Sequence, residues 1–182
     1  MWNDENLVKT LKEGGVVVMP TDTLYGIVGN AQNKDTVGRI YKIRNRTEKK
    51  PCIILVGDLH ELRKFNIILT DAQEKEIEKY KEPTSFILEC SDANLTYLHR
   101  GTKTLAFRLP NLKELRDLLL KTGPLIAPSA NIEGLPTAEN IIEAKKYFGS
   151  LADLYIDSGR ISGKASKLIK LHKDGSVSIL RE

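Results

Sequence analysis

Short apolar runs that stop abruptly punctuate this chain. Val16 to Met19 is cut by Pro20, Cys52 to Val56 starts at Pro51, Leu105 to Leu109 ends at Pro110, and Leu125 to Ala127 runs straight into Pro128. Proline has no N–H to give to a ladder, so each of these residues marks an end. Runs of this length, bounded in this way, read as buried strands, and Phe86 to Cys90 reads as another.

Segments of helical spacing lie between the runs. Leu7, Val8 and Leu11 form a stripe that Asn3 or Asp4 caps and Gly14 closes. Val37, Ile40, Tyr41 and Arg44 share a face behind a cap at Asp35 or Thr36. Asp58 with Glu61, and Thr70 with Gln73, have the spacing of capping boxes, the second opening a charged helix that ends near Lys81. Leu112 to Leu120 is a helix stopped at Thr122-Gly123-Pro124, and Thr137 caps another that carries Ile141, Ile142, Lys145 and Phe148. A strand from Leu154 to Ile156 and a Gly-rich loop from Asp157 to Ser166 follow. Apolar alternation on both sides of Lys173-Asp174-Gly175 then marks a terminal hairpin. Helices between the early strands imply parallel neighbours, and the hairpin adds antiparallel ones. The expected fold is α/β, with residues 1–182 forming one domain around a twisted, mixed parallel and antiparallel sheet flanked by helices.

The totals narrow the function classes. With 28 Lys plus Arg against 24 Asp plus Glu, the net charge of +4 is mild for a nucleic-acid binder and suits an anionic ligand. Cys52 and Cys90 sit in apolar stretches without metal-ligand spacing, as core thiols do. No apolar stretch approaches the ~18 residues of a membrane span, and the N-terminus lacks the pattern of a signal peptide. A soluble, cytoplasmic protein with no membrane partner is the expectation. His60, His99 and His172 are scattered and read as surface residues. No GxSxG or HExxH pattern supports a hydrolase or metalloenzyme.

Four features carry chemistry. Thr21, Asp22 and Thr23 stand where the first strand stops, a place at which α/β sheets hold ligands. Lys42, Arg44, Arg46, Lys49 and Lys50 crowd one short segment, which is either a seat for phosphate or carboxylate or a solvated basic loop. Arg108, at the end of an apolar strand, must find a structural carboxylate or a ligand's. Ser129 and Asn131, after another strand, either build a turn or present hydrogen-bonding tips to a pocket. The stretch Gly159 to Ser166 brushes against a P-loop pattern and fails it, because only three residues separate Gly159 from Gly163 and Ala165 stands where the hydroxyl belongs.

Taken in order, these stretches resemble the YrdC-like domain family, whose enzymes are threonylcarbamoyl-AMP synthases of tRNA modification. The resemblance rests on Pro20-Thr21-Asp22-Thr23-Leu24-Tyr25-Gly26, on Arg44-Asn45-Arg46 in place of a Lys-x-Arg motif, and on Thr104-Leu105-Ala106-Phe107-Arg108 with Pro110. It continues through Ser129-Ala130-Asn131 and the loop from Asp157 to Ser166. Departures are Tyr80 to Ser85 in place of a Trp-Pro-Gly-Pro-x-Thr segment, and Leu55 where some members carry histidine. A YrdC-like fold follows from the resemblance. So does a reaction in which L-threonine, bicarbonate and ATP give threonylcarbamoyl-AMP and pyrophosphate, with Mg2+ accompanying the ATP. The resemblance assigns Arg44 and Arg46 to catalysis, and Arg46, Lys50, Thr104, Asn131 and Ser166 to ATP. Thr23, Arg108 and Ser129 fall to threonine, and no residue to a metal. Further partners implied are tRNA and the proteins that complete its modification. The alternative is a non-catalytic member of the same fold that binds tRNA or double-stranded RNA.

Overall fold

Asp4 opens the first helix: its carboxylate accepts the Leu7 N–H at 2.9 Å, and α1 (Glu5–Lys12) buries Leu7 and Leu11. A computed structural model describes all of residues 1–182. Gly14, at φ +83°, turns the chain into β1 (Val17–Pro20), which pairs antiparallel with β2 (Tyr25–Asn30). The expected cap of α2 (Lys34–Ile43) moves to Asn33, whose side chain accepts from the Asp35 and Thr36 amides. Thr36 cannot serve because its hydroxyl is turned the other way, donating to the Gly14 carbonyl at 2.7 Å.

After β3 (Ile53–Leu55), Asp58 caps a 3-10 turn, Leu59–Phe65, rather than an α-helix. Glu61 bonds the Gly57 amide and Lys64, so the expected box does not close on Asp58. The Thr70 and Gln73 box is complete at the start of α3 (Asp71–Ile77), which stops short of Lys81. Then come β4 (Thr84–Glu89), the short α4 (Thr96–His99), β5 (Thr104–Arg108), α5 (Lys113–Thr122) and β6 (Leu125–Ile126). Asn140, not Thr137, caps α6 (Ile141–Phe148), because its side chain is the one that reaches the Glu143 amide. The chain ends with β7 (Leu154–Tyr155), β8 (Lys167–Leu171) and β9 (Val177–Arg181).

The strands form one sheet in the order β7-β1-β2-β6-β3-β5-β4-β8-β9. The early strands are not parallel neighbours as expected. Although α2 connects β2 to β3, it leaves a slot between them, and β6 fills that slot antiparallel to both. Parallel pairs instead join strands distant in sequence, β3 with β5, β4 with β8 and β1 with β7.

Continuous apolar runs are explained by cover on both faces of this sheet. Val16, Val18, Tyr25, Ile27, Ile54, Phe107 and Ile126 belong to one core, and Val17, Met19, Val28, Leu55 and Leu125 to the other, in the alternation of extended chain. α1 and α5 close the second face with Leu7, Leu11, Leu115, Leu118 and Leu119. Their cover stops before the middle of β5 and β4. There Ile53, Ala106 and Ile87 lie side by side across three strands and form the floor of an open cavity. Cys52 and Cys90 are both buried and free. His99, expected at the surface, is 5 % exposed, because its ring bonds the Asp92 carbonyl and the Gly101 amide beneath the loop after α4.

Candidate active site

The cavity holds about 510 Å³ and is reached by separate stretches of the chain. Thr21 and Thr23 stand at one wall, Arg46, Lys49 and Lys50 at another, with Thr104, Arg108, Ser129, Ser166 and Arg181 completing the ring. No Asp or Glu lines it. Fixed positive charge, small hydroxyls and an apolar floor are what an anionic ligand with an apolar part requires.

The corner after β1 is built by Thr21, whose hydroxyl donates to the Leu24 carbonyl at 2.8 Å and accepts the Thr23 and Leu24 amides. The loop between β7 and β8 lies directly on this corner. A Cβ at Gly163 would stand 2.0 Å from the Thr23 carbonyl oxygen, so only glycine permits the approach. Tyr25 ties the same loop down, donating to the Gly159 carbonyl at 2.9 Å and accepting the Ser158 amide at 2.8 Å.

Arg108 finds a structural carboxylate. Its Nη2 lies 2.8 Å from Asp22 Oδ1 and 3.3 Å from Thr23 Oγ1, and both charged side chains are about 5 % exposed or less. Burial pushes the guanidinium below its ordinary value, and Asp22 pulls it back only in part. Arg108 Nε and Asp22 Oδ2 are buried without partners. The pair is therefore monodentate, and Arg108 still lines the cavity.

The basic segment divides. Arg46 donates from Nε to the Lys50 carbonyl at 3.0 Å and from Nη2 to the Pro51 carbonyl at 2.9 Å, which folds the loop around its head group at the cavity wall. Tyr41 supports the loop from below, its hydroxyl donating to the Lys50 carbonyl at 2.8 Å while Arg100 stacks 3.9 Å from its ring centre. Lys50 pairs with Glu133 at 2.6 Å. That carboxylate also accepts the Thr47 amide, and the two contacts, Lys50 foremost, hold it down to about 2. Arg44 turns inward instead. At 2 % exposure it donates from Nε to the Asn131 carbonyl and from Nη2 to Asn131 Oδ1, both at 2.9 Å, and no carboxylate pairs with it. Burial, and then the neighbouring charge of Arg46, push it down to about 10, still fully charged at neutral pH.

Of the residues expected to touch ligands, Thr23, Arg46, Lys50, Thr104, Arg108, Ser129 and Ser166 share this cavity, while Arg44 and Asn131 lie behind its wall. Ser166 is 3 % exposed, its hydroxyl 2.8 Å from that of Ser85. Its carbonyl accepts two N–H groups of Arg181, at 3.0 and 2.7 Å. Sequence reasoning missed Arg181. The available signal was its place in the terminal alternation, which sets it opposite Leu168, a cavity residue. Sequence reasoning placed Asp22 at the strand end beside the ligand site but did not pair it with Arg108. Leu55 is fully buried in the second core, so no imidazole is offered at that position.

No histidine lines the cavity, and the thiol of Cys52, which does, is pushed up by burial and is no thiolate. The chain has no group of three His, Cys, Asp or Glu side chains placed to hold a metal ion. The arrangement can hold anions against one another; it presents no protein nucleophile with a base beside it.

The chain is similar to known proteins over nearly its whole length. The Sua5_yciO_yrdC family model, described as Telomere recombination, matches residues 9–182. A threonylcarbamoyl-AMP synthase of Pseudomonas fluorescens is 26 % identical over 180 residues, covering 97 % of this chain and 96 % of the relative. One from Bos taurus is 28 % identical over 183 residues, covering 96 % of this chain and 65 % of the relative. Among solved structures, P. abyssi Sua5 complexed with L-threonine superposes with a TM-score of 0.86 at 26 % identity. That match covers 97 % of this chain, which spans about half (52 %) of the Sua5 chain. E. coli YciO superposes with a TM-score of 0.82 at 25 % identity, covering 97 % of this chain and 87 % of its own. A family model that runs from α1 to the last strand makes this chain a member of the Sua5/YciO/YrdC family.

Proposed function

We propose that the chain is an L-threonylcarbamoyladenylate synthase, a nucleotidyltransferase that makes threonylcarbamoyl-AMP and pyrophosphate from L-threonine, bicarbonate and ATP. The observation that carries this reading is the cavity itself, in which Arg46, Lys50, Arg108 and Arg181 converge with no carboxylate among the lining residues. Bicarbonate takes up a proton and loses water to give CO2, and threonine's amine bonds to its carbon and releases a proton to solvent, leaving a carbamate. A carbamate oxygen then attacks the α-phosphorus of ATP, the bond from that phosphorus to the bridging oxygen breaks, and pyrophosphate leaves with the electron pair. Because the carbamate is the nucleophile, the protein needs no reactive serine, cysteine or histidine.

What the chain must supply is proximity for two anions and charge for the transferring phosphoryl group. Arg46 and Lys50 face the phosphates in this reading, with Thr104 and Ser166 along the nucleotide. Arg108 takes the threonine carboxylate, with Thr23 and Ser129 beside it. Each charge-assisted hydrogen bond of this kind contributes about 1.5 to 3 kcal/mol. Mg2+ would enter as part of the ATP substrate and supply charge to its phosphates, since no Asp or Glu lines the cavity to hold it. The product serves tRNA modification, which makes tRNA and the proteins that complete the transfer its downstream partners. A cytoplasmic home belongs to the same reading, and no helix is long and apolar enough to cross a membrane.

A non-catalytic RNA-binding protein of the same fold draws on exposed lysines at the rim and leaves the cavity without a role. The two separate when the protein is incubated with ATP, bicarbonate and each amino acid in turn. Pyrophosphate release confined to threonine supports the synthase; salt-steep RNA binding without any release supports the alternative.

A further inference from the structure

Arg44 and Asn131 stand outside the cavity, 2 % and 8 % exposed, yet both bond Ser129, which lines it. The chemistry of the groups settles every direction in this cluster. Arginine has only donors, so the Asn131 atom 2.9 Å from Arg44 Nη2 must be Oδ1. Backbone carbonyls only accept, and those of Ile132 and Leu135 lie 3.0 and 2.8 Å from the other amide atom, which must be Nδ2. Ser129 Oγ, 2.7 Å from Oδ1, must then donate its one proton to Asn131. Arg44 Nη2 adds a second donor toward the same hydroxyl at 3.4 Å.

We propose that Arg44 and Asn131 are positioning residues that together hold the Ser129 hydroxyl as a fixed hydrogen-bond acceptor for a donor on the amino-acid substrate. This rests on the synthase reading and adds to it a polarity. With its proton committed to Asn131, Ser129 offers the cavity a lone pair and nothing to give. The group it recognises is an N–H of the amine or carbamate, or the hydroxyl of the side chain, and not a carboxylate or phosphate oxygen. Arg44 thereby acts through Ser129 on the amino acid, whereas a motif arginine of the basic segment is expected to act on ATP.

The test is a double-mutant cycle on the whole protein, read as KM for threonine and for ATP in pyrophosphate release. Arg44→Met is expected to raise the threonine KM about tenfold, the loss of one well-aligned hydrogen bond, and to leave the ATP KM within about twofold. Asn131→Ala is expected to do the same. In a Ser129→Ala background the Arg44→Met effect should vanish, since the group through which it acts is gone. Arg44→Lys, which keeps the charge but not the fork, gives an intermediate rise and serves if Arg44→Met fails to fold. Repeating the cycle with 2-aminobutyrate, which lacks the hydroxyl, as a competitive inhibitor of threonine, read as its inhibition constant, identifies the donor: a persisting effect marks the N–H, a lost one the hydroxyl, and either supports an acceptor. The proposal is overturned by a rise in the ATP KM instead, by equal effects with and without the Ser129 hydroxyl, or by an unchanged threonine KM. Absence of turnover in the wild type would overturn the synthase reading, and the proposal with it.

Discussion

Arg108 and Asp22 meet through a single contact, Nη2 to Oδ1 at 2.8 Å, at a depth where neither side chain is more than 5 % exposed. The pair joins the end of β5 to the corner after β1 and so fixes two walls of the cavity relative to each other. Its value lies in what each partner would suffer alone, since a lone buried charge costs far more than the pair contributes.

Asp22→Asn should therefore destabilise the fold by roughly 3 kcal/mol, because it keeps the shape and strands the Arg108 guanidinium without a counter-charge. Urea unfolding reads this as a lower midpoint at unchanged slope. A change under about 0.5 kcal/mol would place Arg108's compensation elsewhere.

Gly163 tests the packing of the loop on the Thr21 to Thr23 corner. A methyl group there collides with the Thr23 backbone, 2.0 Å away, and backbone cannot swing aside as a side chain can. Gly163→Ala should cost about 1 to 3 kcal/mol and raise the KM for threonine. Unchanged stability and KM would mean that the loop does not rest on the corner.

The Lys50 to Glu133 clasp has a pH signature. The Glu133 carboxyl is held down to about 2 from an ordinary 4.5, first by Lys50 and then by the Thr47 amide. A depressed acid stabilises the folded state above its unfolded value and loses that contribution as pH falls through its folded one. The clasp should thus be whole at pH 5 and above, and open toward pH 2. Following the Thr47 amide by NMR through an acid titration checks it, and a midpoint near 4.5 would show Glu133 free.

Helix α6 separates two caps. Asn140→Ala removes the side-chain acceptor for the Glu143 amide and should cost about 1 kcal/mol, whereas Thr137→Ala should stay within about 0.5 kcal/mol. Denaturant midpoints of the two variants decide it, and the reverse order would return the cap to Thr137.

That contrast shows where the sequence was legible. The Thr70 and Gln73 box and the stop of the first strand at Pro20 are local devices, and each stands where its residues predict. Choosing among adjacent Asn, Asp and Thr is not local. Thr36 was drawn away from capping by the Gly14 carbonyl, which only the folded chain brings near. The slot that β6 fills is a property of the whole sheet. In the site, the segment holding Arg44, Arg46 and Lys50 was visible as charge, but charge carries no direction, and the inward turn of Arg44 required Asn131 to be found beside it. Arg181 was hidden for the same reason, since one terminal arginine acquires meaning only opposite Leu168 and against the Ser166 carbonyl.

The most direct test is whether this cavity joins threonine, bicarbonate and ATP. Purified protein with ATP, Mg2+, bicarbonate and L-threonine should form threonylcarbamoyl-AMP, seen by mass spectrometry, in step with pyrophosphate. Arg46→Ala should abolish both while the circular dichroism spectrum stays that of the wild type. Formation of neither product by the wild type, or full turnover by Arg46→Ala, would contradict the account.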